Sequence, residues 1–212
     1  TGNAAHEAYQ KLSYEHGLLA LVVNKDLKAG ISATTINKAF PGLIPQYKVQ
    51  LAKEALPAKI EFPIRAELKY DGVRLTAIID DAQVSFRTRS GKIVPLPNLG
   101  HRLIKDCGDG MWDGEVTIKG GKTEDRTSVS GMINSAMHGG LIDENILDFA
   151  IFDAMPVDDF YRGKCNIVHS ERLARIPKDW RAWSWMCNTP EDVANLYKSV
   201  IGQGYEGLIL KK

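Results

Sequence analysis

The chain has 212 residues, 44% hydrophobic and 25% charged, with a formal net charge of +1. This is the composition of an ordinary globular protein, long enough for one large domain or two smaller ones. No apolar run approaches the ~20 residues that cross a bilayer. The N-terminal residues do not read as a secretory signal, and a cytoplasmic location is expected. Cys107, Cys165 and Cys187 include no C-x-x-C pair, which argues against a disulfide framework or a zinc ribbon.

Residues 4–29 read as a helix, because Leu12, Leu18, Leu19, Val22 and Val23 recur near helical spacing with no proline between them. Gly30 stops it, and Ser32 offers an N-cap for a second helix, Ala33–Phe40, ended by Pro41-Gly42. Residues 1–60 carry seven lysines against four acids, while the remainder carries 20 basic and 22 acidic residues. The basic segment could face phosphates or be a solvated helical surface. Pro45, Pro57 and Pro63 mark a connection between domains, with a short helix expected at 48–55.

After Pro63 the period becomes two. Ile64, Ala66 and Leu68 alternate with Arg65, Glu67 and Lys69, and Val73–Ile79 is apolar and β-branched. Turns at Asp71-Gly72 and Asp80-Asp81 make this a predicted β-meander. A helix around Leu99–Cys107 follows, then strands at Met111–Ile118 and Ile146–Phe152, with Gly120-Gly121 as a hairpin turn. The tryptophans between 180 and 185 read as packing. Residues 191–203 form an amphipathic helix capped by Thr189 with Asp192 three residues on, and Gly207–Leu210 is the last strand. Strands mixed with helices, without regular βαβ alternation, indicate an α+β fold.

Three segments carry chemistry. In Lys69-Tyr70-Asp71-Gly72-Val73-Arg74 a lysine ends one strand and an arginine starts the next. Such an amine can attack a nucleotide α-phosphate if burial or nearby cations lower its pKa. The plain alternative is a hairpin with a solvated lysine and arginine. Asp113-Gly114-Glu115 is expected to close a short strand, and Glu206-Gly207 to open the strand that leads to Lys211. Carboxylates at strand ends beside a phosphate-reactive lysine suit Mg²⁺, which takes one or two of them plus waters and phosphate oxygens. Read separately, each is also an ordinary turn acid.

Taken in order, five segments resemble the covalent nucleotidyltransferase superfamily of DNA ligases, RNA ligases and mRNA capping enzymes. They are KYDGVR at 69–74, TRSG at 88–91, DGE at 113–115, FAIFD at 149–153 and EGLILK at 206–211. The resemblance implies an α+β nucleotidyltransferase (ATP-grasp-like) domain of antiparallel sheets with flanking helices. It also implies that Lys69 is the nucleophile that becomes bonded to AMP. Glu67 would recognise the adenine amino group, and Arg74 and Arg89 would contact ribose and phosphate. Glu115 would touch the ribose and help hold metal, and Phe152 would stack on adenine, with Phe149 as the alternative stacker. Glu206 would hold Mg²⁺ and Lys211 would neutralise phosphate charge.

The segments NKDLKAGIS at 24–32 and TINKAFPGLIP at 35–45 are similar to the end of the helical DNA-binding domain of ATP-dependent DNA ligases, those of large tailed phages in particular. Residues 126–140, RTSVSGMINSAMHGG, look like a helical insert of the same enzymes. The implied layout is the end of an all-α DNA-binding domain over 1–46 and an adenylation domain over 47–212, incomplete at its C-terminus. The family's last lysine-bearing strand and its oligonucleotide-binding (OB) barrel would follow. The implied function is sealing of nicks in duplex DNA by a monomeric enzyme using ATP and Mg²⁺. An RNA ligase or capping nucleotidyltransferase, and a nick-binding module without activity, are the alternatives.

Overall fold

The structure is a computed structural model that describes residue 35 and residues 38–40, 51–54, 60–120 and 126–211. The expected helix at 4–29 and most of that at 33–40 lie outside the described residues, although Thr35, Lys38 and Ala39 are helical. Residues 51–54, expected to be helical, are exposed and without regular structure. A segment this short between prolines has too few turns to hold a helix without a packed face. The chain divides into two compact units, Thr1–Gln46 and Tyr47–Lys212, and the second carries every residue discussed below.

Its strands form two antiparallel sheets. One has the order β7-β1-β8, with β1 (Ile64–Lys69) between β7 (Ser184–Cys187) and β8 (Gly207–Lys211). The other has the order β4-β3-β2-β5-β6, from β2 (Val73–Asp80), β3 (Gln83–Thr88), β4 (Ile93–Val94), β5 (Gly110–Ile118) and β6 (Leu147–Met155). The α+β expectation is met.

The meander expected through Asp71-Gly72 is not formed, because β1 and β2 lie in different sheets. Each strand has its own core to fill. Ile64 and Ala66 of β1 pack with Cys187, Leu208 and Leu210 on helix α5 (Pro190–Gly202) through Val193 and Leu196. Leu75, Ala77 and Ile79 of β2 join the larger core with Phe86, Trp112, Val116, Phe149 and Ile151. Alternation reveals that a strand is half-buried, not which strand it pairs with. Gly72 is needed for closeness rather than for a turn: a Cβ there would stand 2.2 Å from the Val116 carbonyl oxygen. The next hairpin falls one residue later than expected. Asp81 and Ala82, with φ of 49° and 56°, form its two-residue loop between the paired Asp80 and Gln83.

Helix α1 (Pro97–Cys107) starts with a proline in its first turn. The buried Glu144 accepts from the Leu99 amide at 2.8 Å, satisfying one of the helix's free N–H groups. Gly120 leads not into a hairpin but into residues 121–146, which include α2 (Arg126–Met137), the expected helical insert. Two short helices, α3 (Val157–Arg162) and α4 (His169–Ala174), were not foreseen; six residues are too few to display a helical period. The capping box at α5 is present, with Asp192 N donating to Thr189 Oγ1 at 3.1 Å. Trp180 is buried and donates to Asp106 at 3.0 Å, as packing requires, whereas Trp183 is 54% exposed.

One irregularity shapes the site. In the β5–β6 ladder Asp113 pairs with Asp153 but Gly114 pairs with Ile151, so Phe152 is the extra residue of a β-bulge. Before it, Leu147, Phe149 and Ile151 point into the core; after it, Ala154 does. Phe152 and Asp153 therefore both stand on the opposite face. The expectation that Asp113-Gly114-Glu115 ends a strand is corrected by the extent of β5, in whose middle the triplet lies.

Candidate active site

Period-two geometry puts Arg65, Glu67 and Lys69 on the face of β1 turned away from α5. Lys69 ends the strand opposite Gly207, and its Nζ contacts the carboxylate of Glu206, the residue before β8. The strand end is held from behind. The Leu68 amide donates to the Trp183 carbonyl at 2.9 Å, and the Trp183 amide donates to the Tyr70 hydroxyl at 3.1 Å. Burial pushes the Tyr70 phenol up to about 12, so it stays neutral.

Arg74, Thr76, Asp113 and Glu115 share one face of β2 and β5. Arg74 donates to both carboxylate oxygens of Asp113, at 3.1 and 2.6 Å, and Thr76 donates to Asp113 Oδ1 at 3.0 Å. Glu115 is paired in register with Arg74. Burial raises its carboxyl to about 7; Arg74 opposes the rise, Asp113 adds to it, and Arg126 and a hydrogen bond from the Gly72 backbone oppose it.

Residues of the two sheets meet around Phe152. Lys211 Nζ donates to the Phe152 carbonyl at 3.0 Å, lies 2.6 Å from Glu67 Oε2 and 4.8 Å from the Phe152 ring centre. The Arg74 guanidinium lies 5.2 Å from the same ring. Phe149, the alternative stacker, is fully buried against Phe86. The Glu67 side chain is 3% exposed, and among the described residues its Oε1 has no hydrogen-bond partner. Burial raises the Glu67 carboxyl above the ordinary range, against the pull of Lys211.

Seven of the eight anticipated residues thus fall into three groups of neighbours: Lys69 with Glu206, Arg74 with Glu115, and Glu67 and Lys211 with Phe152, whose ring Arg74 also approaches. Arg89 is exposed in the turn between β3 and β4, and no hydrogen bond or ion pair ties it to the others among the described residues. Glu115 stands on the five-stranded sheet, Glu206 at the edge of the three-stranded one. Among the described residues no cluster of three or more His, Cys, Asp or Glu could hold a metal ion. Sequence reasoning missed Asp113, Asp153, Arg172 and His169 as parts of the site. Asp113 and Asp153 lay inside recognised segments, but nothing in the pattern linked them to partners. Arg172 and His169 lie on α4, which has no periodic signal.

Two antiparallel sheets carrying a strand-end lysine, a carboxylate before the neighbouring strand and an aromatic ring between cations define a mixed α/β nucleotidyltransferase domain. Residues 46–212 match the ATP dependent DNA ligase domain, and the chain belongs to that family. It is 24% identical over 247 residues to the DNA ligase of Enterobacteria phage T4, covering 92% of this chain and 50% of that relative. Among solved structures, Pmar-Lig_PreS3 superposes with a TM-score of 0.68 at 23% identity, covering 91% of this chain and 50% of that one. The ATP-dependent DNA ligase from bacteriophage T7 in complex with ATP gives 0.52 at 23% identity, covering 70% and 56%. The structural likeness establishes a shared fold. The chain spans about half the length of the curated relatives it matches. No helix among the described residues is long and apolar enough to cross a membrane.

Proposed function

We infer that this chain is the nucleotide-accepting part of an enzyme that seals nicks in duplex DNA. The observation that carries the reading is the placement of Lys69: its amine ends β1 beside Glu206, on the face that also bears Glu67. The neutral amine attacks the α-phosphate of ATP, a P–N bond forms, and the bond to pyrophosphate breaks. AMP then passes from Lys69 to the 5′-phosphate at the nick, and the 3′-hydroxyl displaces it. Each step is an in-line displacement, so alignment and charge neutralisation supply most of the catalysis.

The roles follow from position. Phe152 offers its ring to adenine, which the bulge turns out of the core. Glu67 Oε1, buried and without a partner, accepts from the adenine amino group. Lys211 and Arg74 meet phosphate or ribose oxygens; Arg89, exposed and untied to the others, takes the same role from the family resemblance alone. Glu206 and Glu115 suit Mg²⁺: Glu206 is 31% exposed, and the buried Glu115 carboxyl becomes an easier anion beside a cation. When bound, the ion would neutralise phosphate charge. We place the enzyme in the cytoplasm as a monomer acting on nicked DNA.

The test is incubation with ATP labelled in its α-phosphate, with Mg²⁺, followed by denaturing separation. The native chain should retain label through an acid-labile, base-stable bond, and Lys69→Ala should retain none while melting at the native temperature. Native-rate labelling of Lys69→Ala would refute the assignment.

A further inference from the structure

Glu67, Lys211, Phe152 and His169 form a ring of contacts that is open at one edge. Glu67 Oε2 lies 2.6 Å from Lys211 Nζ, and the same Nζ donates to the Phe152 carbonyl at 3.0 Å. His169 Nε2 lies 3.4 Å from that carbonyl. The remaining edge, from His169 Nε2 to Glu67 Oε1, measures 3.9 Å, too long for a hydrogen bond. Glu67 Oε1 is the buried acceptor that no described residue satisfies. A buried carboxylate oxygen left bare is costly, and a ligand N–H aimed at it recovers that cost.

The residue across the gap decides whether the acceptor stays open. We propose that His169 is a specificity-determining residue of the nucleotide site: its Nε2–H is directed to the Phe152 carbonyl, leaving Glu67 Oε1 to a base that carries an amino group. The inference rests on the reading that Glu67 meets adenine. A neutral imidazole has a single N–H, and here the Phe152 carbonyl takes it. The surroundings keep the ring neutral: burial and the charge of Lys211 lower its pKa, opposed by Asp153 and by the hydrogen bond to Phe152, with Arg172 adding to the fall. A lysine at this position would behave otherwise. Its flexible ammonium carries three donors and would pair with Oε1 as Lys211 pairs with Oε2. Both oxygens of Glu67 would then be occupied, and a base amino group would find no acceptor.

The sequence offers no hint of this. His169 begins a six-residue helix, far along the chain from Glu67, and belongs to none of the five segments that carry the family resemblance.

The experiment measures self-labelling by ATP and by GTP, as rate constant and half-saturating concentration, for the native chain, His169→Ala, His169→Lys, His169→Arg and Glu67→Ala. Ala brings no donor to Glu67 Oε1 and leaves Lys211 on the Phe152 carbonyl, so its ATP-over-GTP ratio should stay within about threefold of native. His169→Lys should lower that ratio about tenfold or more, through a higher half-saturating ATP concentration at a nearly unchanged maximal rate. His169→Arg repeats the test should the lysine variant fail to fold. Glu67→Ala should lower the ratio as well. If Glu67→Ala lowers it while His169→Lys and His169→Arg match the native chain, the reading of Glu67 stands and the role of His169 is overturned. Equal losses in His169→Ala and His169→Lys would also overturn it, since loss of the imidazole rather than an added donor would then be at work. An unchanged ratio in Glu67→Ala removes the premise and the inference together.

Discussion

Arg172 holds Asp153 by two parallel hydrogen bonds, Nε to Oδ1 at 2.7 Å and Nη2 to Oδ2 at 2.9 Å. The same guanidinium donates to the Ile167 carbonyl at 2.6 Å. A helix that would be marginal alone is thereby fastened to the strand residue next to Phe152. Both side chains are less than one-fifth exposed, so removing one partner strands the other. Arg172→Ala should destabilise the chain by about 2–4 kcal/mol, and Arg172→Lys, which keeps the charge without the fork, by somewhat less. Chemical denaturation of the three proteins measures this. Indistinguishable midpoints would show that the pair does not fasten α4.

Gly72 carries the second prediction. The Cβ of Gly72→Ala would sit 2.2 Å from the Val116 carbonyl oxygen and 2.9 Å from Thr117 Cγ2. Backbone cannot yield as a flexible side chain can, so β2 must shift against β5. A loss of about 1–3 kcal/mol is expected, together with slower labelling, because Glu115 accepts from the Gly72 amide. A melting temperature equal to the native value would contradict the close approach.

Glu115 gives stability a pH dependence of unusual sign for a carboxylate. Its folded pKa is raised from 4.5 to about 7. Between these values the folded chain binds the proton more tightly than the unfolded chain, so this group's contribution falls as pH rises from about 4.5 to 7. The shift corresponds to roughly 3 kcal/mol at most. Glu115→Gln should therefore raise the melting temperature at pH 8 and change it little at pH 4, while impairing labelling. Equal effects at both pH values would remove burial as the cause.

Much of this was readable in advance, though unevenly. The placement of Lys69 at the end of one strand and Arg74 in the next followed from alternation and the order of motifs. The capping box at Thr189 and Asp192 followed from three residues alone. What stayed hidden depended on partners distant in sequence. Nothing in Lys69–Arg74 shows that the chain changes sheets there. The β6 strand was expected to stop at Phe152, whereas it runs on to Met155 past a bulge that brings Phe152 and Asp153 to one face. Arg172 and His169 matter through contacts with residues 19 and 17 positions earlier, separations at which no local pattern operates.

Glu206 carries the last prediction. Its carboxylate contacts Lys69 Nζ and, at 31% exposed, stands open to an arriving Mg²⁺. Glu206→Ala should demand a higher Mg²⁺ concentration for half-maximal labelling and lower the maximal rate by a factor of ten or more, since a lost metal ligand leaves phosphate charge uncompensated. Rate curves against Mg²⁺ that overlay the native ones would reduce Glu206 to a surface acid.

The change of sheet between Lys69 and Arg74 also constrains what lengths this segment can have. β1 is locked in register by β7 and β8, and β2 by β3 and β5. Residues 70–72 are therefore a spacer between two independently anchored frames. Adding or deleting one residue there could not be absorbed by sliding either strand, because a one-step slip would turn its buried side outward. An ordinary loop tolerates such changes in length; this one acts as a gauge block, and its three residues set how far the nucleophile stands from the arginine that follows it.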